Sequence, residues 1–238
     1  MSTVVTPSAL PDGVFFDAIV VIDTLRATTS IVTALTSGAT AVLPCLSLQE
    51  AQERKALEQW KWWTGGEVGG RAPSGFDLGN SPREMVRPWE GRGLLLATTN
   101  GTKAIRRATK CGKAIWIGCL RNRDAVSQAV RRVDRLLLLC SGDHDEASLE
   151  DLLTAGAIAE RWIPEVEADD MTVLACLAWQ QAKEKLYEVV TYGSRNARHL
   201  IEIGLTEDIP FALQLDQTTL VPRWDTKTAS ILSPASPA

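Results

Sequence analysis

Asp23-Thr24-Leu25-Arg26-Ala27-Thr28-Thr29 sets a carboxylate, a guanidinium and hydroxyls in one short stretch. The carboxylate offers a hard oxygen to magnesium, and Arg26 can grip phosphate oxygens through its planar fork. The same residues allow a plainer reading, in which Asp23 caps a helix and Arg26 forms a surface ion pair. Thr98-Thr99-Asn100-Gly101-Thr102-Lys103 is a second candidate. Small polar residues and a glycine at a helix start can cradle an anion with backbone N–H groups, or can simply make a tight capped turn.

A third segment, Cys140-Ser141-Gly142-Asp143-His144-Asp145-Glu146, leads to Ser148-Leu149-Glu150-Asp151. Asp143-His144-Asp145 reads as a solvated loop, because adjacent residues seldom aim at one ion. Glu150 falls in the first turn of a helix with Ser148 as cap, so it is either a second magnesium ligand or an acid placed favourably against the helix dipole. Cys140 closes an apolar strand, where a thiol is packing rather than nucleophile. Gly65-Gly66-Glu67-Val68-Gly69-Gly70-Arg71 lacks the Gly-Lys-Ser/Thr of a nucleotide loop and fits a mobile active-site loop carrying Glu67 or Arg71. With two histidines in the chain, a multi-histidine zinc centre is not expected.

These segments follow strands. Ala18 to Ile22 is an apolar, β-branched run that stops at Asp23, as a strand buried on both faces would. Thr40 to Leu43, Trp60 to Thr64, Leu94 to Ala97, Ala114 to Ile117 and Leu136 to Cys140 read as further strands. Helices are predicted from Arg26 to Ser37, closed by Gly38, and from the capping box Ser47-Leu48-Gln49-Glu50 to about Gln59. Ser81-Pro82-Arg83-Glu84 reads as another helix start. The alternation predicts a layered α/β/α fold with a largely parallel or mixed sheet, whose ligands sit beyond the carboxyl ends of the strands. After Ser148 the chain turns helix-rich, with helices at Leu149 to Trp162, Asp170 to Tyr187 and Asn196 to Ile203 and a late strand around Leu220-Val221. One domain spanning 1–238 is expected, with a subdivision near 145 as the alternative, and the final Ser-Pro-Ala-Ser-Pro-Ala reads as a frayed tail.

Composition excludes some roles. A net charge of -4, with basic residues dispersed, gives no electrostatic reason to bind nucleic acid; Arg121, Arg123, Arg131, Arg132 and Arg135 read as a solvated helix face. The odd number of widely spaced cysteines suits reduced thiols in a cytoplasm. No apolar run approaches the ~18 residues of a membrane span, and no leader pattern opens the chain, so a soluble cytoplasmic protein is expected.

Taken in order, Asp23 to Thr29, Gly66-Glu67, Gly75-Phe76-Asp77-Leu78-Gly79-Asn80-Ser81-Pro82, Thr98 to Thr102 and Ser148 to Asp151 resemble the 2-phosphosulfolactate phosphatase family. The resemblance runs from about Ile19 to Val221. It implies magnesium-dependent hydrolysis of (2R)-2-phospho-3-sulfolactate to 3-sulfolactate and phosphate, a reaction serving coenzyme M biosynthesis or general sulfonate metabolism. It makes Asp23 and Glu150 the metal and catalytic candidates together with Arg26, and Arg26, Glu67, Arg71, Asn80, Asn100, Gly101 and Thr102 the substrate-binding ones. Val68 departs from the basic residue that often follows Gly-Glu in that family, and Arg71 is its candidate replacement. Asp23 is placed like the nucleophile of haloacid-dehalogenase-like phosphatases, but Leu25 stands where their second Asp would, which favours water as the attacker. A broader small-acid phosphatase, a non-catalytic anion-binding protein and a hydrolase using Cys140 are the competing readings. A homodimer is the expected assembly.

Overall fold

The computed structural model describes residues 1–163 and 165–233; residues 234–238, most of the expected tail, lie outside it. A short strand β1 (Ser2–Val4) precedes β2 (Phe16–Ile22), the strand that delivers Asp23. There follow α1 (Ala27–Thr36), β3 (Val42–Cys45), α2 (Leu48–Leu57), β4 (Trp62–Gly66), β5 (Gly93–Ala97), α3 (Gly101–Ala108) and β6 (Gly112–Gly118). The alternation ends with α4 (Arg123–Val130), β7 (Leu136–Cys140) and α5 (Leu149–Ala159). Then come α6 (Asp170–Ala182), α7 (Leu186–Gly193), α8 (Arg195–Glu202), α9 (Asp208–Ala212) and a hairpin of β8 (Arg223–Asp225) and β9 (Ser230–Leu232).

The strands form one nine-stranded mixed sheet ordered β1-β7-β2-β6-β8-β9-β3-β5-β4. Two parallel sets, β1-β7-β2-β6 and β3-β5-β4, are joined by the β8–β9 hairpin, which pairs antiparallel with β6 on one side and with β3 on the other.

Apolar runs with no polar alternation require cover on both faces, and the packing supplies it. Ile19 and Val21 of β2 join Leu137 and Leu139 of β7 and Leu94 and Leu96 of β5 in a core with Ile31 and Val32 of α1 and Ala104 and Ile105 of α3. Ala18, Val20 and Ile22 point the other way, onto Val126 and Val130 of α4 and Ala155 and Ile158 of α5. Behind α5 a third layer forms: Leu153 and Ala157 pack with Trp179 of α6, Leu186 and Val190 of α7, Leu200 of α8 and Ile209 of α9. Close packing of α5 on α6 depends on Gly156, where a Cβ would lie 2.1 Å from the Ala175 carbonyl oxygen.

The layered α/β fold and the helix-rich final third agree with the sequence reading, and several boundaries do not. Ser81-Pro82 starts no helix: i to i+3 turns run only to Val86 before Pro88, and Ser81 Oγ donates to Asp208 instead of capping. The helix expected over Asp170 to Tyr187 breaks into α6, a 3-10 turn (Lys183–Lys185) and α7. The late strand falls at Arg223–Asp225, after Pro222, rather than at Leu220-Val221. Ser47 Oγ accepts from Glu50 N at 3.0 Å as a cap should, while the Glu50 carboxylate reaches Leu46 N. Part of the basic segment is tied down rather than solvated, with Arg121 stacked on Phe211 and Arg123 paired to Asp216. All five cysteines are buried and free, and among the described residues no helix is long and apolar enough to cross a membrane.

Candidate active site

The ends of β2, β4, β5 and β7 converge on one cavity of about 160 Å³, lined by Asp23, Glu67, Thr98 and Asp143 from those four exits. The amino ends of α1 and α3 meet there too, so helix partial charges favour anions at this point. Asp23 is buried, and its Oδ1 accepts from Ala27 N at 3.0 Å, which is the capping role. Its other oxygen lies against Gly101: a Cβ there would come within 2.6 Å of Oδ2. Gly101 is therefore a position where α3 makes room for the carboxylate. Thr28 and Thr29 turn their hydroxyls inward, to the carbonyls of Asp23 and Thr24 at 2.9 and 2.8 Å, and brace the strand-to-helix turn.

Three further carboxylates surround Asp23. Burial pushes the Asp23 pKa up to about 7, with the charges of Glu67 and Glu150 adding to it against the Ala27 hydrogen bond. Asp151 is also raised, by burial and by Asp23 and Glu150; its oxygens accept from Thr24 N at 2.7 Å and Gly142 N at 3.2 Å, tying the exit of β2 to that of β7. Burial works against the Glu67 carboxylate as well, but hydrogen bonds from Thr99 and Gly70 and the charge of Arg26 hold it below the ordinary range. Glu150 is buried, with Oε1 accepting from Asn196 Nδ2 at 2.7 Å and Oε2 without a hydrogen-bond partner among the described residues. Burial and the same acids push the Cys140 thiol far up, so it stays protonated and inert.

Arg26 makes no surface pair. Its Nη1 donates to Asp208 Oδ2 at 2.8 Å with both side chains buried, and its Nη2 donates to Gly70 O at 2.5 Å. Asp208 Oδ1 accepts from Ser81 Oγ, so α9 fixes both Arg26 and the segment that carries Asn80. Val68 and Arg71 exchange backbone hydrogen bonds of 2.9 and 3.2 Å around Gly69 and Gly70, both at positive φ, which makes the glycine-rich stretch a tight hairpin turn. Glu67, Arg26 and His199 all hold that turn, so it is pinned rather than free.

Asp23, Arg26, Glu67, Asn80 and Asn100 all line the cavity, and Gly101 lies beneath Asp23. Glu150 sits behind them and is reached through Asn196. Thr102 is buried with its hydroxyl on Thr98 O at 2.7 Å, outside the lining. Arg71 lines a neighbouring depression with Arg26 and Asn80, and Val68 is exposed. Ser148 stands at the cap position of α5 but makes no cap bond. Asp143 and His144, read as solvated loop, line the cavity. Sequence reasoning missed Asn196, His199 and Asp208; Asn196 and His199 share one face of α8, a spacing with no distinguishing signal among the many polar pairs of the chain.

Among the described residues no group of three or more His, Cys, Asp or Glu is arranged for a metal. Magnesium does not require such a cage, since it binds one or two carboxylates together with water and phosphate oxygens. Among the described residues Glu150 Oε2 and Asn80 Oδ1 are buried oxygens with no hydrogen-bond partner; the Glu150 charge acts on Asp23, whose ionisation is opposed by its surroundings, and Asn80 lines the same cavity as Asp23. Unpaired hard oxygens beside a raised carboxylate are a set that magnesium suits.

A family model described as 2-phosphosulpholactate phosphatase matches residues 4–227. A probable 2-phosphosulfolactate phosphatase of Caldanaerobacter subterraneus subsp. tengcongensis is 37% identical over 210 residues, covering 86% of each chain. Proteins of the same description from Thermus thermophilus, 36% identical over 87% of each chain, and from Synechocystis sp., 35% identical over 92% of this chain and 93% of its own, are similar along nearly their full length.

Proposed function

The chain belongs to the 2-phosphosulpholactate phosphatase family, and on that premise we propose that it hydrolyses (2R)-2-phospho-3-sulfolactate to 3-sulfolactate and inorganic phosphate with magnesium. The observation that carries the reading is Asp23, opposed in its own ionisation, in an anion-favouring cavity that Asn80 also lines, with the buried Glu150 behind it close enough for its charge to act on Asp23.

Asp23 and Glu150 would hold the metal, and Asn80, which lines the same cavity as Asp23, would add a neutral oxygen. Bound magnesium supplies Lewis-acid polarisation of the phosphoryl group and activation of water. Arg26 keeps a positive charge in the cavity wall, where phosphoryl oxygens gain negative charge during transfer, and Asp208 stops its fork from swinging away. Two N–H groups of that fork are committed to Asp208 and Gly70, so phosphate receives the remaining ones rather than a full bidentate grip. Asn100 lines the same cavity and brings a neutral amide donor, while both donors of Thr99 are committed to Glu67. Glu67, charged and locked by Thr99, fixes the turn that covers the cavity and accepts a hydrogen bond from the attacking water. Water is favoured over a covalent aspartyl step because Asp23 Oδ1 is held by Ala27 N, and Leu25 lines the cavity where an acid–base carboxylate would be needed.

A broader small-acid phosphatase is the second reading, favoured by one observation: neither Val68 nor Arg71 reaches the cavity, which removes the basic residue expected beside Gly-Glu. Phosphate release from 2-phospho-3-sulfolactate, 2-phospholactate, phosphoglycolate and glycerol 2-phosphate, with magnesium and with EDTA, separates the two. The specific reading expects the sulfonated ester to be preferred; comparable rates on all esters support the broader enzyme, and no magnesium-dependent release from any of them contradicts both.

A further inference from the structure

We propose that the cavity next to the catalytic one, bounded by Lys103, Ser141 and Thr99, holds the second, non-reacting anion of the substrate, its sulfonate or its carboxylate. This rests on the phosphatase reading above and adds where the rest of the molecule goes. The cavity measures about 240 Å³ and shares Thr99, Asn100 and His144 with the catalytic one, so a ligand anchored at Asp23 can extend into it.

Three observations point to an anion. Ser141 is 3% exposed and its Oγ has no hydrogen-bond partner among the described residues, although its backbone N–H is fixed by donation to Ile22 O at 2.8 Å. A buried hydroxyl is normally satisfied, so this one, held in the cavity lining, has its O–H free to donate to a ligand oxygen. Lys103 lines the same cavity, is exposed and has no ion-pair partner among the described residues. It also stands in the first turn of α3, the end where a cation opposes the helix dipole, so local stability gives no reason for it. Finally, the catalytic cavity is short of free positive charge: Asp23, Glu67 and Asp143 line it, and Arg26 is committed to Asp208. A substrate bearing two further anions needs a cation elsewhere. Asp145 on the rim is the opposing charge; it is exposed and unpaired with Lys103.

Lys103→Met and Ser141→Ala test the assignment, with Lys103→Arg as the conservative control. The readouts are kcat and KM on 2-phospho-3-sulfolactate, 2-phospholactate and p-nitrophenyl phosphate, and calorimetric binding of sulfolactate, which needs no turnover. Lys103→Met is expected to raise KM for 2-phospho-3-sulfolactate about tenfold with kcat within about threefold, to weaken sulfolactate to a similar degree, and to be largely rescued by Arg. Ser141→Ala is expected to act in the same direction by about threefold. The penalty on p-nitrophenyl phosphate should be several-fold smaller. A penalty shared by 2-phospholactate assigns the carboxylate, and one confined to the sulfonated ester assigns the sulfonate. Equal losses on all three esters, or sulfolactate binding and KM indifferent to Lys103 and Ser141, overturn the subsite. Lys103-dependent sulfolactate binding without phosphate release would instead sink the phosphatase reading and leave the subsite standing.

Discussion

Arg26 Nη1 and Asp208 Oδ2 lie 2.8 Å apart in a fully buried ion pair that joins the start of α1 to the short helix α9 across 182 residues of chain. Removing one partner of such a pair strands the other charge, at a cost of about 3–5 kcal/mol. Asp208→Ala is therefore expected to lose about that much in urea unfolding and to lower kcat through a displaced Arg26. Asp208→Asn keeps an acceptor for the guanidinium and should lose clearly less of both. Equal stability of Asp208→Ala and the parent would show that the pair does not anchor the site.

Glycine to alanine in a helix interior usually stabilises by about 1 kcal/mol, an upper bound for Gly101, the first residue of α3. At Gly101 the new Cβ would sit 2.5 Å from Ala27 Cβ and 2.6 Å from Asp23 Oδ2, so overpacking of about 1–3 kcal/mol outweighs the helix gain. Gly101→Ala is expected to lower Tm and to weaken the magnesium response. A rise in Tm with unchanged activity would contradict the close approach of α3 to Asp23.

Metal-free protein carries an electrostatic burden at Asp23. The folded pKa of about 7 exceeds the unfolded value of 3.8, so between those values the folded state binds more protons and stability falls as pH rises. The loss is complete above about pH 7 and is on the order of 4 kcal/mol at most. Asp23→Asn in EDTA should raise Tm at pH 8, by an amount that shrinks towards pH 5. A gap independent of pH would contradict the raised carboxyl.

Cys140 is the last residue of β7, and burial and the neighbouring acids keep it a thiol. Activity is expected to survive Cys140→Ala and brief iodoacetamide treatment and to be lost in EDTA. The opposite pattern would favour the thiol hydrolase.

Much of this was legible in the sequence because strands covered on both faces must be apolar throughout, as Ile19 to Ile22 and Leu136 to Leu139 are, and each ends abruptly on polar residues. Asp23, Asn100 and Glu150 could be found by following those exits. What escaped came from parts with no local signature. Asp208 reaches Arg26 only through tertiary packing of α9, and Asn196 looks like any polar residue of a surface helix until α8 lays it on Glu150. Ser81-Pro82 had the local chemistry of a helix start, but Pro88 and the bond to Asp208 hold it as turns. The β8–β9 hairpin that joins the two parallel sets consists of three-residue strands, too short for a periodic signal.

The central claim is that Asp23 is the metal-holding carboxylate of a phosphatase. The most direct measurement is magnesium-dependent phosphate release from 2-phospho-3-sulfolactate by Asp23→Asn, alongside the Tm shift of parent and variant on adding magnesium. The account predicts that the parent gains Tm with magnesium and turns over, while Asp23→Asn remains folded, loses the shift and loses about a thousandfold in kcat or more. Full activity, or an undiminished magnesium shift, in Asp23→Asn would contradict it.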